Sequence, residues 1–377
     1  MPQLSQPEIG SLRSPARADA AAATNVAAGP ERARTVLIVG NFLSRQLHTR
    51  GVCEDLAVRL TGAGWLVRTT SDRVRPLRRL GDILATIWRT RHEYAVAQVD
   101  VYSGRAFLWA EAACWLLRRI GRPFVLTLHG GNLPAYSSRW PRRVARLLSK
   151  AAKVTTPSPY LLNEMQSYRK DLLLLPNPID LSAYSFRLRE RLAPRLVWVR
   201  AFHAIYNPTL AVRVTALLAQ EFPDVRLTMV GPDKGDRSLA ASQAAAREFG
   251  VSDRITFAGG VAKSQVPTYL AGGDIFLNTS NLDNTPVSVL EPMASGLPVV
   301  STAVGGLSHL LADERDALLV PSDDPPRMAA AIRRLVTDPA LARRLAVNAR
   351  SRVESFDWTV VLPQWEKLLT AVIGGRS

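Results

Sequence analysis

Residues 280–306 read SNLDNTPVSVLEPMASGLPVVSTAVGG, and three changes of pattern inside them decide the fold class. Residues 281–285 are polar and turn-forming. Thr285 is placed to cap a helix, with Pro286 at its first position, where a missing N–H costs nothing. Residues 287–295 predict a short helix, and Gly296 suits the position just past its end. Residues 298–301 (Pro-Val-Val-Ser) predict a buried parallel strand. The chemistry lies in how the helix begins. Its free backbone N–H groups and positive dipole end suit a phosphate or an array of sugar hydroxyls. Asp283 precedes the helix and Glu291 lies within it, spaced to bracket a polyhydroxylated ligand. The plainer alternative is a surface helix with two solvated acids.

The acid pair and the run after it resemble the donor-sugar motif of the family 4 glycosyltransferases, retaining enzymes of the GT-B fold. The family pattern is Glu, seven residues, Glu, then Met-Ala-x-Gly-x-Pro-Val-Val. This chain has Asp283, seven residues, Glu291, then Met293 through Val300 in that pattern. The first acid is one methylene shorter, and Pro292 removes a helical donor and predicts a kink. The resemblance implies that Glu291 binds the ribose of a nucleotide donor. It implies that Asp283 and the backbone that follows it, through Asn284, Thr285, Pro286, Val287 and Ser288, meet the donor sugar.

The chain has 377 residues, long enough for two domains of ordinary size. Cys53 and Cys114 make no disulfide framework, and no Cys/His metal spacing or Asp-x-Asp triplet occurs, so the expectation is no cofactor and no metal. No charged-then-apolar leader opens the chain, and residues 106–117 are too short an apolar run to span a membrane. The reading is a cytoplasmic protein. Charge is uneven. Residues 1–190 hold 28 of the 48 Lys+Arg and 14 of the 32 Asp+Glu, a net of +14, against +2 for the rest. Such asymmetry points the first half at something anionic, unless it only serves solubility.

Residues 1–33 are rich in Ala, Pro, Ser and Arg without apolar periodicity and read as a disordered tail. Residues 35–39 predict a first strand. A loop with Arg45, His48, Arg50 and Gly51 follows, then a helix at 52–60 and a strand at 65–68. This is a doubly wound unit without the G-x-G-x-x-G fingerprint. The resemblance puts Gly51 at the donor phosphate. Residues 73–94 interleave Arg73, Arg75, Arg78, Arg79, Arg89 and Arg91 with Leu77, Leu80, Ile83, Leu84, Ile87 and Trp88. Residues 139–150 repeat the theme, with Arg139, Arg142, Arg143, Arg146 and Lys150 against Trp140, Val144, Leu147 and Leu148. Both suit the inner face of an anionic membrane, at about 1 kcal/mol for each base near the leaflet. Either alone also fits a helix packed on the sheet with a solvated basic face.

The strand at 123–128 ends in His129-Gly130-Gly131-Asn132, where α/β folds place active sites. A near-neutral imidazole suits exchange with a sugar hydroxyl, and the resemblance sets His129 beside the donor sugar. Residues 176–180 are close to the family's Pro-Asn-Gly-Val-Asp, and 181–194 read as a linker. The second domain restarts with a strand at 195–199, ending in Arg200. In the family an Arg here and a Lys about five residues on clamp the donor diphosphate. Here that Lys is missing, and Tyr206, Asn207, Lys234 or Lys263 are the replacements within reach. Gly259-Gly260-Val261 stands where the family meets the nucleobase. Two helical segments follow Val320, the last at 358–373.

The expectation is therefore an α/β protein of GT-B type, two Rossmann-like doubly wound domains facing a cleft. A disordered tail would fill 1–33, an acceptor domain 34–190, a nucleotide-sugar domain 191–355, and a helix at 356–377 would cross back to the first domain. The activity expected is retaining transfer of a sugar from a UDP- or GDP-sugar to a hydroxyl of a lipid-linked or cell-surface glycan precursor. His129, Asp283 and Glu291 are the expected catalytic residues. Gly51, Arg200, Val261, Lys263 and residues 284–288 join Glu291 around the donor. A nucleotide-sugar epimerase of the same fold is the alternative. A nucleic-acid-binding protein is disfavoured, because no nucleic-acid motif appears among the basic residues.

Overall fold

Among the described residues, the apolar runs become twelve parallel strands in two sheets. The structure, a computed structural model, describes residues 34–43 and 51–375. The expected tail and the loop residues Arg45, His48 and Arg50 lie outside the described residues. The first sheet holds β1 (Thr35–Val39), β2 (Leu66–Thr69), β3 (Val96–Val101), β4 (Phe124–Leu128), β5 (Lys153–Thr156) and β6 (Leu172–Leu174), in the order β2-β1-β3-β4-β5-β6. The second holds β7 (Arg195–Val199), β8 (Arg226–Val230), β9 (Ile255–Gly259), β10 (Ile275–Asn278), β11 (Val299–Thr302) and β12 (Leu318–Val320), in the order β12-β11-β10-β7-β8-β9. Strand order reverses between β1 and β3 in one sheet and between β7 and β10 in the other. Ligands of open parallel sheets bind beyond the carboxyl ends of strands at such reversals.

Both sheets are covered on two faces, which is why their central strands β3, β4, β10 and β11 are buried along their whole length. In the second, alternate residues of β7 enter different cores. Trp198 packs with Leu210, Val214 and Ile332 of helices Pro208–Leu218 and Pro325–Thr337. Val197 and Val199 pack with Leu290, Met293 and Val353 of helices Val287–Ala294 and Pro339–Glu354.

Three helices follow β12, not two: Pro325–Thr337, Pro339–Glu354 and Trp358–Gly374. Pro339 opens the second and Asp338 accepts from Leu341 N at 2.9 Å, so a proline at a first turn divides one apparent segment into two. The last helix crosses to the first domain. Val361, Trp365 and Leu369 join Val36, Ile38, Leu60 and Trp65 in one core, and Trp65 Nε1 donates to Glu366 Oε1 at 3.1 Å.

The two basic segments fold only partly as expected. The first is one helix, Pro76–Arg89, with Ile83 and Ile87 buried and Leu77 and Trp88 exposed. Arg79 does not belong to its basic face. It is buried and donates to the Arg73 and Val74 carbonyls and to Asn41 Oδ1, because the chain before the helix folds back over it. Burial lowers its pKa. The second segment breaks at Trp140 into helices Leu133–Arg139 and Pro141–Leu148, again with proline at a first turn. Arg143 is engaged by Glu111, its Nε donating to Oε1 at 2.6 Å. Among the described residues, no helix is long and apolar enough to cross a membrane.

Candidate functional site

A cleft of about 640 Å³ lies between the carboxyl ends of the two sheets. Twelve residues nominated from the sequence line it together: Gly51, His129, Arg200, Val261, Lys263, Asp283, Asn284, Thr285, Pro286, Val287, Ser288 and Glu291. Gly51 caps the helix Val52–Gly62, and residues 286–288 open the helix Val287–Ala294. Two helix N-termini, one per domain, therefore border the same space, each with unpaired N–H groups and a positive dipole end.

The loop before the second helix is fixed from both sides. Asp283 pairs with Arg200, accepts from Ser280 Oγ at 3.1 Å, and accepts from the Asn284 amide at 2.9 Å. Thr285 is not the helix cap. Pro286 holds that position without a side-chain bond, and the Thr285 hydroxyl donates to the Pro157 carbonyl at 3.3 Å, across the cleft. Ser158 donates to Asn284 Oδ1, and Asn177 Nδ2 donates to the Thr285 carbonyl at 3.0 Å. The loop ranks contact with the other domain above capping its own helix. Gly306 packs beneath it; a Cβ there would sit 2.2 Å from the Asn284 carbonyl oxygen.

Glu291 is 2% exposed, so the solvated-acid alternative fails for it. Its Oε1 accepts from Tyr184 OH at 3.0 Å and pairs with Lys263. Burial pushes the Tyr184 phenol pKa up, with the charge of Asp180 adding to it, so this hydroxyl stays a donor. Arg200 extends from the end of β7 with its guanidinium 4.3 Å from the Tyr206 ring centroid. Burial lowers its pKa; the charge of Asp283, the neighbouring Tyr206 and the hydrogen bond to Asp283 together outweigh this, and the net direction is up. Its Nε is buried with no partner among the described residues, as is the hydroxyl oxygen of Ser288. Two unpaired polar atoms at the mouth of one helix are places where a polar ligand would complete the bonding.

Of the replacements for the missing Lys, Tyr206, Lys234 and Lys263 line the cleft. Asn207 does not. Its backbone is left-handed (φ 44°), and its amide reaches Asn281 and Asp323 at the surface. On the first-domain side, His129 Nε2 lies 3.1 Å from Asp100 Oδ1, and its ring stacks on Tyr102 at 5.3 Å. Asp100, Tyr102, Asn177 and Tyr184 went unnominated as site residues. Asp100 carried a signal, since an acid inside VAQVDV is out of place in a strand buried on both faces.

Two parallel doubly wound sheets with facing strand-order reversals define the GT-B architecture. The Glycosyltransferase Family 4 description matches residues 31–183 and the Glycosyl transferases group 1 description residues 193–338, so the chain belongs to the family 4 glycosyltransferases of GT-B fold. It is 27% identical over 288 residues to a D-inositol 3-phosphate glycosyltransferase of Acidothermus cellulolyticus, covering 69% of this chain and 64% of that one. It is 29% identical over 172 residues to the Streptomyces avermitilis protein of that name, covering 44% and 37%. A third relative, from Paenarthrobacter aurescens, is covered over 65% of its length, so the match spans less than two thirds of each of these three. The fold is that of sucrose-phosphate synthase from Thermosynechococcus elongatus (TM-score 0.77, 20% identity, 91% of this chain and 100% of that one). It is also that of Anabaena Alr3699/HepE in complex with UDP-glucose (TM-score 0.69, 18% identity, 89% and 99%).

Proposed function

We propose that the protein is a retaining glycosyltransferase that moves a sugar from a nucleoside diphosphate sugar to an acceptor hydroxyl. One observation carries the reading: a buried carboxylate, a partly buried guanidinium whose Nε is buried and unpaired among the described residues, and two helix N-termini border a single cleft. In this reading Glu291 takes the ribose hydroxyls. Arg200, Lys234 and the amides of Val287 and Ser288 take the diphosphate, and His129 and Asp283 flank the sugar. The chain contributes mainly by placing the substrates and by neutralising charge that grows on the leaving diphosphate. Attack on the face the diphosphate leaves, with a phosphate oxygen taking the acceptor proton, fits a cleft in which the acids are already engaged by Arg200 and Lys263. The solved HepE complexes with UDP and UDP-glucose support a uridine donor.

The acceptor in this proposal is a lipid-linked or surface-glycan precursor, met at the inner face of an anionic membrane. Leu77, Trp88, Leu108, Trp115 and Trp140 stand exposed among the arginines of the first domain, the composition of an interfacial surface. A soluble polyol phosphate is the second reading, favoured by the name of the relatives. The test is incubation with UDP- and GDP-sugars and either acceptor, with and without anionic vesicles, followed by NMR of the product's anomeric carbon. Transfer with the donor's configuration kept is the expected outcome. An inverted product contradicts retention, and an isomerised free sugar without transfer gives the epimerase.

A further inference from the structure

The first sheet carries a buried polar stripe that its packing does not require. Gln98 and Asp100 are two residues apart on β3, so their side chains leave the same face, and both are buried. Thr127 on β4 lies in register with Asp100, and Thr155 on β5 with Thr127. Gln98 Nε2 donates to Asp100 Oδ1 at 2.7 Å and to Thr127 Oγ1 at 2.9 Å. Thr155 Oγ1 donates to Thr127 Oγ1 at 3.1 Å. The stripe ends at His129, in the cleft. A buried carboxylate is costly unless paired, and no Lys or Arg among the described residues pairs with Asp100. Its Oδ2 is buried beside the Cys53 thiol. That thiol is a weak donor kept protonated by burial and next by the charge of Asp100.

We propose that Asp100 is a positioning residue for His129. A carboxylate only accepts, so the 3.1 Å contact puts the imidazole proton on Nε2. Nδ1 is then left as an acceptor, and His129 lines the cleft. The orientation is fixed three times over: by Asp100, by the Tyr102 ring stacked at 21°, and by the His129 amide donating to the Val101 carbonyl at 2.8 Å. Nδ1 accepts a hydroxyl of the transferred sugar. The assignment of that hydroxyl rests on the nucleotide-sugar reading; the tautomer does not.

Long-range 1H–15N spectra of the full chain labelled in histidine test the tautomer, with His129→Gln identifying the signal. The expected result is one Nε2-protonated form in the wild type that is lost in Asp100→Asn, whose amide can turn an N–H toward the ring. Asp100→Asn and His129→Gln should also weaken binding of the donor sugar nucleotide by about 10-fold, the scale of one lost hydrogen bond. Both should leave affinity for the free nucleoside diphosphate unchanged, a split that general loosening of the domain would not produce. An Nδ1-protonated His129 in the wild type overturns the proposal, and that spectrum needs no variant to fold. So does an Asp100→Asn protein with unchanged tautomer and donor affinity. Absence of any nucleotide binding by the wild type would instead remove the donor reading and leave the tautomer result standing.

Discussion

On the second-domain side of the cleft, residues 282–288 supply seven consecutive lining residues from one loop and one helix start. On the first-domain side, Gly51, Tyr102, His129 and Asn177 arrive from four separate loops. The first arrangement is held by backbone: Gly306 N donates to the Asp283 carbonyl at 3.0 Å, and Gly305 and Gly306 leave no room for a Cβ against that loop. The second is held by side chains reaching across a sheet, as Asp100 reaches His129. A site written into one stretch of backbone tolerates little change and leaves a motif. A site assembled from dispersed strand ends leaves single residues, each readable in more than one way.

The largest effect should follow from Arg200→Ala, which strips the Asp283 carboxylate of its partner in a confined setting. Removing one member of such a pair costs about 3–5 kcal/mol, visible as a lower Tm and as loss of nucleotide affinity by calorimetry. A variant with wild-type Tm and affinity would show the loop is not held by that pair. Glu291→Gln should cost about 1.5–3 kcal/mol of donor affinity, the worth of a hydrogen bond to a charged group, read by titration with the donor. Gly306→Ala should lower stability by about 1–3 kcal/mol, because a methyl group there must push backbone rather than a flexible side chain. A methyl group added at Gly62, at the end of a first-domain helix, would meet nothing within 4 Å, and Gly62→Ala should leave stability unchanged or raise it by up to about 1 kcal/mol in a denaturant melt. Equal effects at the two glycines would erase the contrast between the domains. Smallest in stability are Leu77→Glu and Trp88→Glu, within about 0.5 kcal/mol as exposed substitutions. Their expected effect is weaker sedimentation with anionic vesicles at low salt, and unchanged sedimentation would remove this surface from the membrane reading.

The same contrast explains what the sequence disclosed. The strands at 35–39, 123–128 and 195–199 were legible because each is a short apolar run ended by a turn, and the helix at 287 because Pro286 and Gly296 bracket it. The motif from Asp283 to Val300 drew the second-domain side of the cleft in one piece. The role of Thr285 was not legible, since its partner Pro157 lies 128 residues away and capping is the local expectation. Arg79 counted as one more surface base because nothing local says that residues 73 and 74 fold over it. Asp100 was not singled out, although an acid stands out within an apolar strand; its meaning depends on His129 at the end of the neighbouring strand, a pairing only the fold supplies. Tyr184 sits in an apparent linker and becomes a site residue only where that linker passes Glu291.

The central claim, that the cleft takes a nucleoside diphosphate sugar, is tested most directly by thermal unfolding of the wild type against a panel of nucleoside diphosphates and their sugars. A ligand at a hundred times its Kd adds about 2.7 kcal/mol to stability. The expected result is a clear rise in Tm with the diphosphates of one base and none with the others. No rise with any nucleotide, from a protein that melts cooperatively, would contradict it.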